Sequence, residues 1–182
     1  KPESKSSGGN SFGFQGVHVQ TKAKILKDIT SESSERETTG IGELDRVLGG
    51  GIVKGSLVLL SGDPGIGKST ILLQICEFLG KNLRILYVSG EESARQIKLR
   101  ANRLGVSTDN LLIMCQTDVE RIVEYIKSEK PDLVIVDSIQ TMNVSEISSS
   151  PGSVTQVRES TNLFMHCAKG LGIPTILVGH VN

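Results

Sequence analysis

From residue 38 onward, short apolar runs alternate with longer stretches of helical period. Leu57-Val58-Leu59-Leu60 and the segments 84–88, 111–115, 133–136 and 175–178 are mainly apolar runs of strand length, the pattern of parallel strands covered on both faces. Between them, 69–80, 92–104, 118–129 and 154–170 read as helices. The clearest is 118–129, where Val119, Ile122, Val123 and Ile126 stand at i, i+3, i+4 and i+7 while Lys127, Glu129 and Lys130 fall outside the stripe. The stretch after Ser69 is apolar around most of its circumference, as a buried helix is. Thr39 to Gly51 reads as a short capped helix stopped by Gly49-Gly50-Gly51. Strand and helix in strict alternation predict an α/β fold, a mostly parallel sheet with helices on both faces.

The first residues have another character. Lys1 to Gly16 is rich in Ser and Gly, and 31–37 is charged and polar. The expectation is a flexible linker over 1–37, with one short ordered piece near Val17 to Ile29, followed by a single domain over 38–182. The chain opens on Lys1 rather than Met, which suggests a fragment or a processed form. No apolar run reaches membrane-spanning length, so no membrane partner is expected. No internal repeat is present.

Charge and composition narrow the function classes. Twenty basic and twenty acidic residues cancel, so any nucleic-acid contact must come from a local patch. Trp is absent and aromatics make up only 3%, which argues against gripping single strands mainly by base stacking. Cys76, Cys115 and Cys167 form no C-x-x-C pair and each lies in an apolar stretch. They read as small buried residues rather than as a zinc site or a disulfide framework.

Candidate chemistry begins at Gly62-Asp63-Pro64-Gly65-Ile66-Gly67-Lys68-Ser69, which fits G-x-x-x-x-G-K-[ST] at every fixed position. Backbone N–H groups of such a turn approach phosphate oxygens, Lys68 adds a charge near the β/γ-phosphates, and the Ser69 hydroxyl can reach Mg²⁺. A strand before it and a buried helix after it are the context the motif requires. Leu133-Val134-Ile135-Val136-Asp137 is an apolar strand ending in a carboxylate, placed to hold the Mg²⁺ shell. Tyr87-Val88-Ser89-Gly90-Glu91-Glu92 ends another strand in two acids. Ser138 rather than Glu follows Asp137, so a water-activating base must come from elsewhere. Glu91 is favoured over Glu92, although both could simply open the next helix. His180, beyond the apolar run 175–178, could bond the γ-phosphate or be an ordinary structural histidine. His18 and His166 carry no functional signal. Ser148 to Ser153 forms a low-charge loop with Arg158 the nearest cation.

Together, Thr39-Gly40 through Gly51, Gly62 through Thr70, Val88-Ser89-Gly90-Glu91-Glu92-Ser93, Val136-Asp137-Ser138-Ile139-Gln140, Ser150-Pro151-Gly152-Ser153-Val154 with Gln156-Val157-Arg158-Glu159, and Val178-Gly179-His180-Val181 resemble the bacterial RadA/Sms family of DNA-repair ATPases. The resemblance covers about residues 39 to 182, and the Ser-Pro-Gly-Ser-Val run is its most specific part. It implies a RecA-like ATPase core, related to DnaB-type helicases, that forms hexameric rings on single-stranded or branched DNA. Such a ring drives branch migration with a RecA-type recombinase. It implies ATP and Mg²⁺ as ligands, with Gly62, Asp63, Pro64, Gly65, Ile66, Gly67, Lys68, Ser69 and Thr70 around the phosphates. Asp137 would share the metal with Ser69, Glu91 would be the catalytic glutamate, and His180 would stand at the γ-phosphate sensor position. Arg100 would pack on adenine. The loop 148–158, with Ser150, Pro151, Gly152, Ser153 and Arg158, would face DNA in the ring centre. Its setting would be the bacterial cytoplasm, or an organelle for a plant or algal source. The family's N-terminal zinc finger, its Lys-Asn-Arg-Phe-Gly motif and its Lon-like C-terminal domain have no counterpart among these residues, and Asn182 stands where the family usually has Thr. Weak hydrolysis and weak assembly are therefore expected of this chain. Two other readings stay open: a KaiC-like assembly switch without DNA, and a module that only holds nucleotide. The Ser-Pro-Gly-Ser-Val loop favours the repair ATPase.

Overall fold

In a computed structural model of the chain, the described residues are Ala23, 25–28 and 36–180. The chain divides into two compact units, Lys1–Ser33 and Ser34–Asn182. Of the first, the described residues are Ala23 and 25–28, with a 3₁₀ turn at Leu26–Asp28; the other residues of the ordered piece expected near 17–29 lie outside the described residues.

The second unit runs β1 (Arg36–Glu37), α1 (Gly42–Val47), β2 (Ile52–Val53), β3 (Leu57–Gly62), α2 (Lys68–Leu79), β4 (Ile85–Ser89), α3 (Ala94–Arg103), β5 (Leu111–Cys115), α4 (Val119–Glu129), β6 (Leu133–Asp137), a 3₁₀ turn at Ile139–Thr141, α5 (Val154–Leu171) and β7 (Thr175–His180). Five strands form one parallel sheet in the order β3-β7-β6-β4-β5. The α/β architecture read from the alternation is the one observed.

The two-residue period of the strands builds the core. Ile85 and Tyr87 of β4 face one side with Leu72, Leu73, Ile75 and Ile97 from α2 and α3. Leu86 and Val88 face the other with Ile122, Ile126 and Phe164 from α4 and α5. Both faces are covered, so β4 and β6 are buried at every position. β3 and β5 are the sheet edges and are only partly buried. Cys115, at the end of β5, is exposed. The expectation of three buried cysteines therefore fails at this position, which ends an edge strand with a neighbouring strand on one side only. Cys76 is fully buried, and burial pushes its thiol up to about 12.

Charged residues 36–37, assigned above to the linker, pair antiparallel with β2, Arg36 opposite Val53 and Glu37 opposite Ile52. The Arg36 guanidinium also donates to the Leu48 carbonyl at 2.9 Å. A two-residue strand of charged side chains has no periodicity to read. Parallel pairing places every strand's C-terminal end along one rim. Register sets Ser89 opposite Asp137 and Gly62 opposite His180. That rim is where an open α/β sheet presents its ligand crevice.

Candidate nucleotide site

The turn between β3 and α2 owes its shape to two glycines. Gly65 and Gly67 have φ of +80° and +101°, a region that side chains disfavour. Neither has an atom within 4 Å of a would-be Cβ, so conformation rather than space demands glycine there. Gly67 is also the N-cap of α2 and provides no side-chain cap. Ser93, Asp118 and Ser153 do cap α3, α4 and α5. The first amides of α2 are thus open to an anion, with the helix dipole behind them.

Lys68 is 8% exposed. Its Nζ donates to the carbonyls of Gly62 (2.6 Å) and Asp63 (2.7 Å). An ammonium has three donors, so two brace the turn and one remains for a phosphate oxygen. A cleft of about 250 Å³ opens over this turn, lined by Gly65, Gly67, Lys68, Ser69, Thr70, Arg100 and His180. A larger hollow, about 530 Å³, lies near the N-terminal ends of the strands beside Leu83, Asp132 and Pro174, away from this cluster.

Asp137 ends β6 and is 9% exposed. Its Oδ2 accepts from the Ser69 hydroxyl at 2.6 Å and from the Tyr87 hydroxyl at 2.6 Å. The carboxylate and the hydroxyl singled out for Mg²⁺ are therefore in direct contact. Among the described residues no cluster of three His, Cys, Asp or Glu could hold a metal alone. A Mg²⁺ site built from one carboxylate, one hydroxyl and substrate phosphates fits this donor set. Tyr87 was not anticipated. Burial, with the Asp137 carboxylate beside it, raises its phenol well above the usual range, so it stays protonated and donates. Its one sequence signal is a hydroxyl inside an otherwise apolar strand, two residues before Ser89. Tyr87→Phe is expected to raise the Mg²⁺ concentration needed for nucleotide binding by about tenfold, read by metal titration at fixed nucleotide.

Glu91 follows β4, and its Oε1 accepts from the Ser138 hydroxyl at 2.8 Å. His180 Nε2 lies 3.4 Å from the same oxygen, and the tautomer protonated at Nε2 donates to it. His180 Nδ1 is buried and has no partner among the described residues. Glu92 is engaged elsewhere, its Oε1 accepting from Arg100 Nη1 at 2.6 Å. Of the two acids, Glu91 faces the rim that carries Asp137 and His180. The bond of Ser138 to Glu91 is a long-range pairing that no motif announces. Arg100, held by Glu92, borders the cleft from α3.

The loop residues do not join this cluster. Ser150, Pro151 and Gly152 are exposed, and Ser153 caps α5 through its bond from Gln156 N. Arg158 lies on α5, exposed and paired with Glu159 at 3.0 Å. The loop is nevertheless anchored. Gln156 is fully buried. Its Oε1 accepts from Val144 N (2.8 Å), and its Nε2 lies within 3.2 Å of Asn143 Oδ1 and the carbonyls of Val144, Ile147 and Ser149.

A family profile described as AAA domain matches residues 24–182, beginning ahead of residue 39. The chain is 53% identical over 166 residues to the DNA repair protein RadA of Bacillus subtilis, covering 90% of this chain and 36% of that protein. It is 46% identical over 169 residues to the DNA repair protein RadA of Escherichia coli, covering 93% and 37%. The chain thus spans little more than a third of the length of these relatives. The crystal structure of a KaiC-like protein from Pyrococcus horikoshii matches with a TM-score of 0.66 at 21% identity, over 81% of this chain and 73% of that one; this likeness concerns the fold. The chain belongs to the AAA-domain family, with bacterial RadA proteins among its relatives there.

Proposed function

We propose that this chain is the ATP-hydrolysing core of a DNA-repair motor that acts on single-stranded or branched DNA. The observation that carries the reading is the contact of Asp137 with Ser69 of the phosphate loop, with Glu91, Ser138 and His180 on the same rim. The α2 amides and Lys68 would bind the β- and γ-phosphates of ATP. Ser69 and Asp137 would hold Mg²⁺, which when bound spreads the charge of the transferring phosphoryl group. Glu91, oriented by Ser138, would hold the attacking water. Its oxygen forms the new bond to the γ-phosphorus as the bond to ADP breaks. Glu91 favours that attack by taking the water's proton. His180 would touch the γ-phosphate, and Arg100 would lie along the base. Ser150, Pro151, Gly152, Ser153 and Arg158 would belong to the DNA-facing loop.

DNA as a partner is supported by the similarity to the DNA repair protein RadA of two bacteria and by the Ser-Pro-Gly-Ser-Val loop. A homo-hexameric ring, partnership with a RecA-type recombinase, and a cytoplasmic or organellar setting are proposed with it. Among the described residues no helix is long and apolar enough to cross a membrane. The test is ATP hydrolysis with and without single-stranded DNA. Stimulation of several-fold is expected. An unchanged rate at saturating DNA sinks the motor reading and leaves a nucleotide switch.

A further inference from the structure

The loop and the nucleotide rim meet at the 3₁₀ turn Ile139–Thr141 that follows Asp137. Ser138, at the head of this turn, bonds Glu91. From the middle of the turn, Gln140 Nε2 donates to the backbone carbonyl of His180 at 3.1 Å. The two groups proposed to face the γ-phosphate are therefore both tied to one turn. The loop tip lies beside the same turn. Gly152 has φ of +81°, and a Cβ placed on it would lie 3.5 Å from the Gln140 carbonyl oxygen. Gln140 Oε1 is buried and takes no donor among the described residues, so the amide has spent only part of its bonding capacity.

The rest of the loop is stiffened. Gln156 pins 143–149 to α5, and Thr141 Oγ1 donates to the Ser138 carbonyl at 2.8 Å, bracing the turn. The exposed tip at Pro151 and Gly152 thus lies between the pinned 143–149 stretch and the Ser153 cap of α5.

We propose that Gln140 is a positioning residue that couples the 150–153 loop tip to the β7 end carrying His180. DNA held at the tip and a triphosphate held at the rim would then alter each other's affinity. The proposal rests on the DNA-facing reading of the loop. Coupling of this kind is reciprocal: nucleotide changes DNA affinity by the factor by which DNA changes nucleotide affinity.

The experiment measures binding of a fluorescent single-stranded oligonucleotide to the protein with and without a non-hydrolysable ATP analogue and Mg²⁺. It compares wild type with Gln140→Leu, which removes the amide, and Gln140→Glu, which keeps its length but not its donor. Wild type is expected to change DNA affinity at least fivefold on adding nucleotide. Both variants should fall below twofold while binding nucleotide alone as wild type does, a split that mere destabilisation would not produce. If Gln140→Leu does not fold, Gln140→Glu decides. A wild-type ratio retained in a folded variant overturns the Gln140 coupling and leaves the DNA-repair reading standing. A wild type that binds DNA equally with and without nucleotide overturns the coupling alone. A wild type that binds no DNA overturns both.

Discussion

Glu91→Gln is expected to bind Mg-ATP within about threefold of wild type and to hydrolyse it roughly 10²- to 10⁴-fold more slowly, the span usual for losing a general base. The substitution is nearly isosteric. A glutamine Oε1 can still accept from the Ser138 hydroxyl, which now bonds Glu91 Oε1 at 2.8 Å, so the segment after β4 should stay in place. What disappears is a carboxylate able to take a proton from water. Equilibrium binding and single-turnover hydrolysis separate the two effects. Equal losses in both would place Glu91 among the binding groups. Near-normal turnover would return the role to another residue, with Glu92 the next to test despite its bond to Arg100 at 2.6 Å.

Lys68→Ala should act at the opposite step. Lys68 braces the turn through the Gly62 and Asp63 carbonyls and has one donor left for phosphate. A hydrogen bond involving a charged group contributes about 1.5–3 kcal/mol. At about 1.4 kcal/mol per decade, its loss weakens nucleotide binding roughly 10- to 150-fold. The two released carbonyls lie in a largely exposed loop where water can replace the ammonium, so the fold should survive. A titration monitored by nucleotide fluorescence, with a melting curve as control, checks this. A folded Lys68→Ala protein with unaltered affinity would contradict the placement of the phosphates.

What could be read from the sequence was local. The phosphate loop is contiguous, and Gly67, one of its two positive-φ glycines, is a fixed motif position. Asp137 was legible because a buried strand writes its identity as a continuous apolar run, and a carboxylate at its end stands out. β3 and β7 were read as ending at 60 and 178, yet their ladder continues through Ser61 opposite Gly179 and Gly62 opposite His180. Backbone hydrogen bonds need no apolar side chain, so those rungs leave no trace in a hydrophobic pattern. Tyr87 with Asp137, Ser138 with Glu91 and Gln140 with the His180 carbonyl span 50, 47 and 40 positions. They depend on strand order and register, which a single sequence does not encode visibly. Gln156 was hidden for another reason. A glutamine near a helix start reads as solvent-facing, and its full burial is tolerable because the loop 143–149 wraps around its amide.

We propose that the C-terminal ends of β3, β4, β6 and β7 form one Mg-dependent triphosphate site. Titration of ATP into the wild-type protein, by calorimetry with and without Mg²⁺, tests it most directly. One saturable site per chain is expected, with an affinity that rises when Mg²⁺ is present and from which ADP displaces ATP competitively. Absence of saturable binding, or binding indifferent to Mg²⁺, would contradict the assignment of Ser69 and Asp137 and, with it, the site.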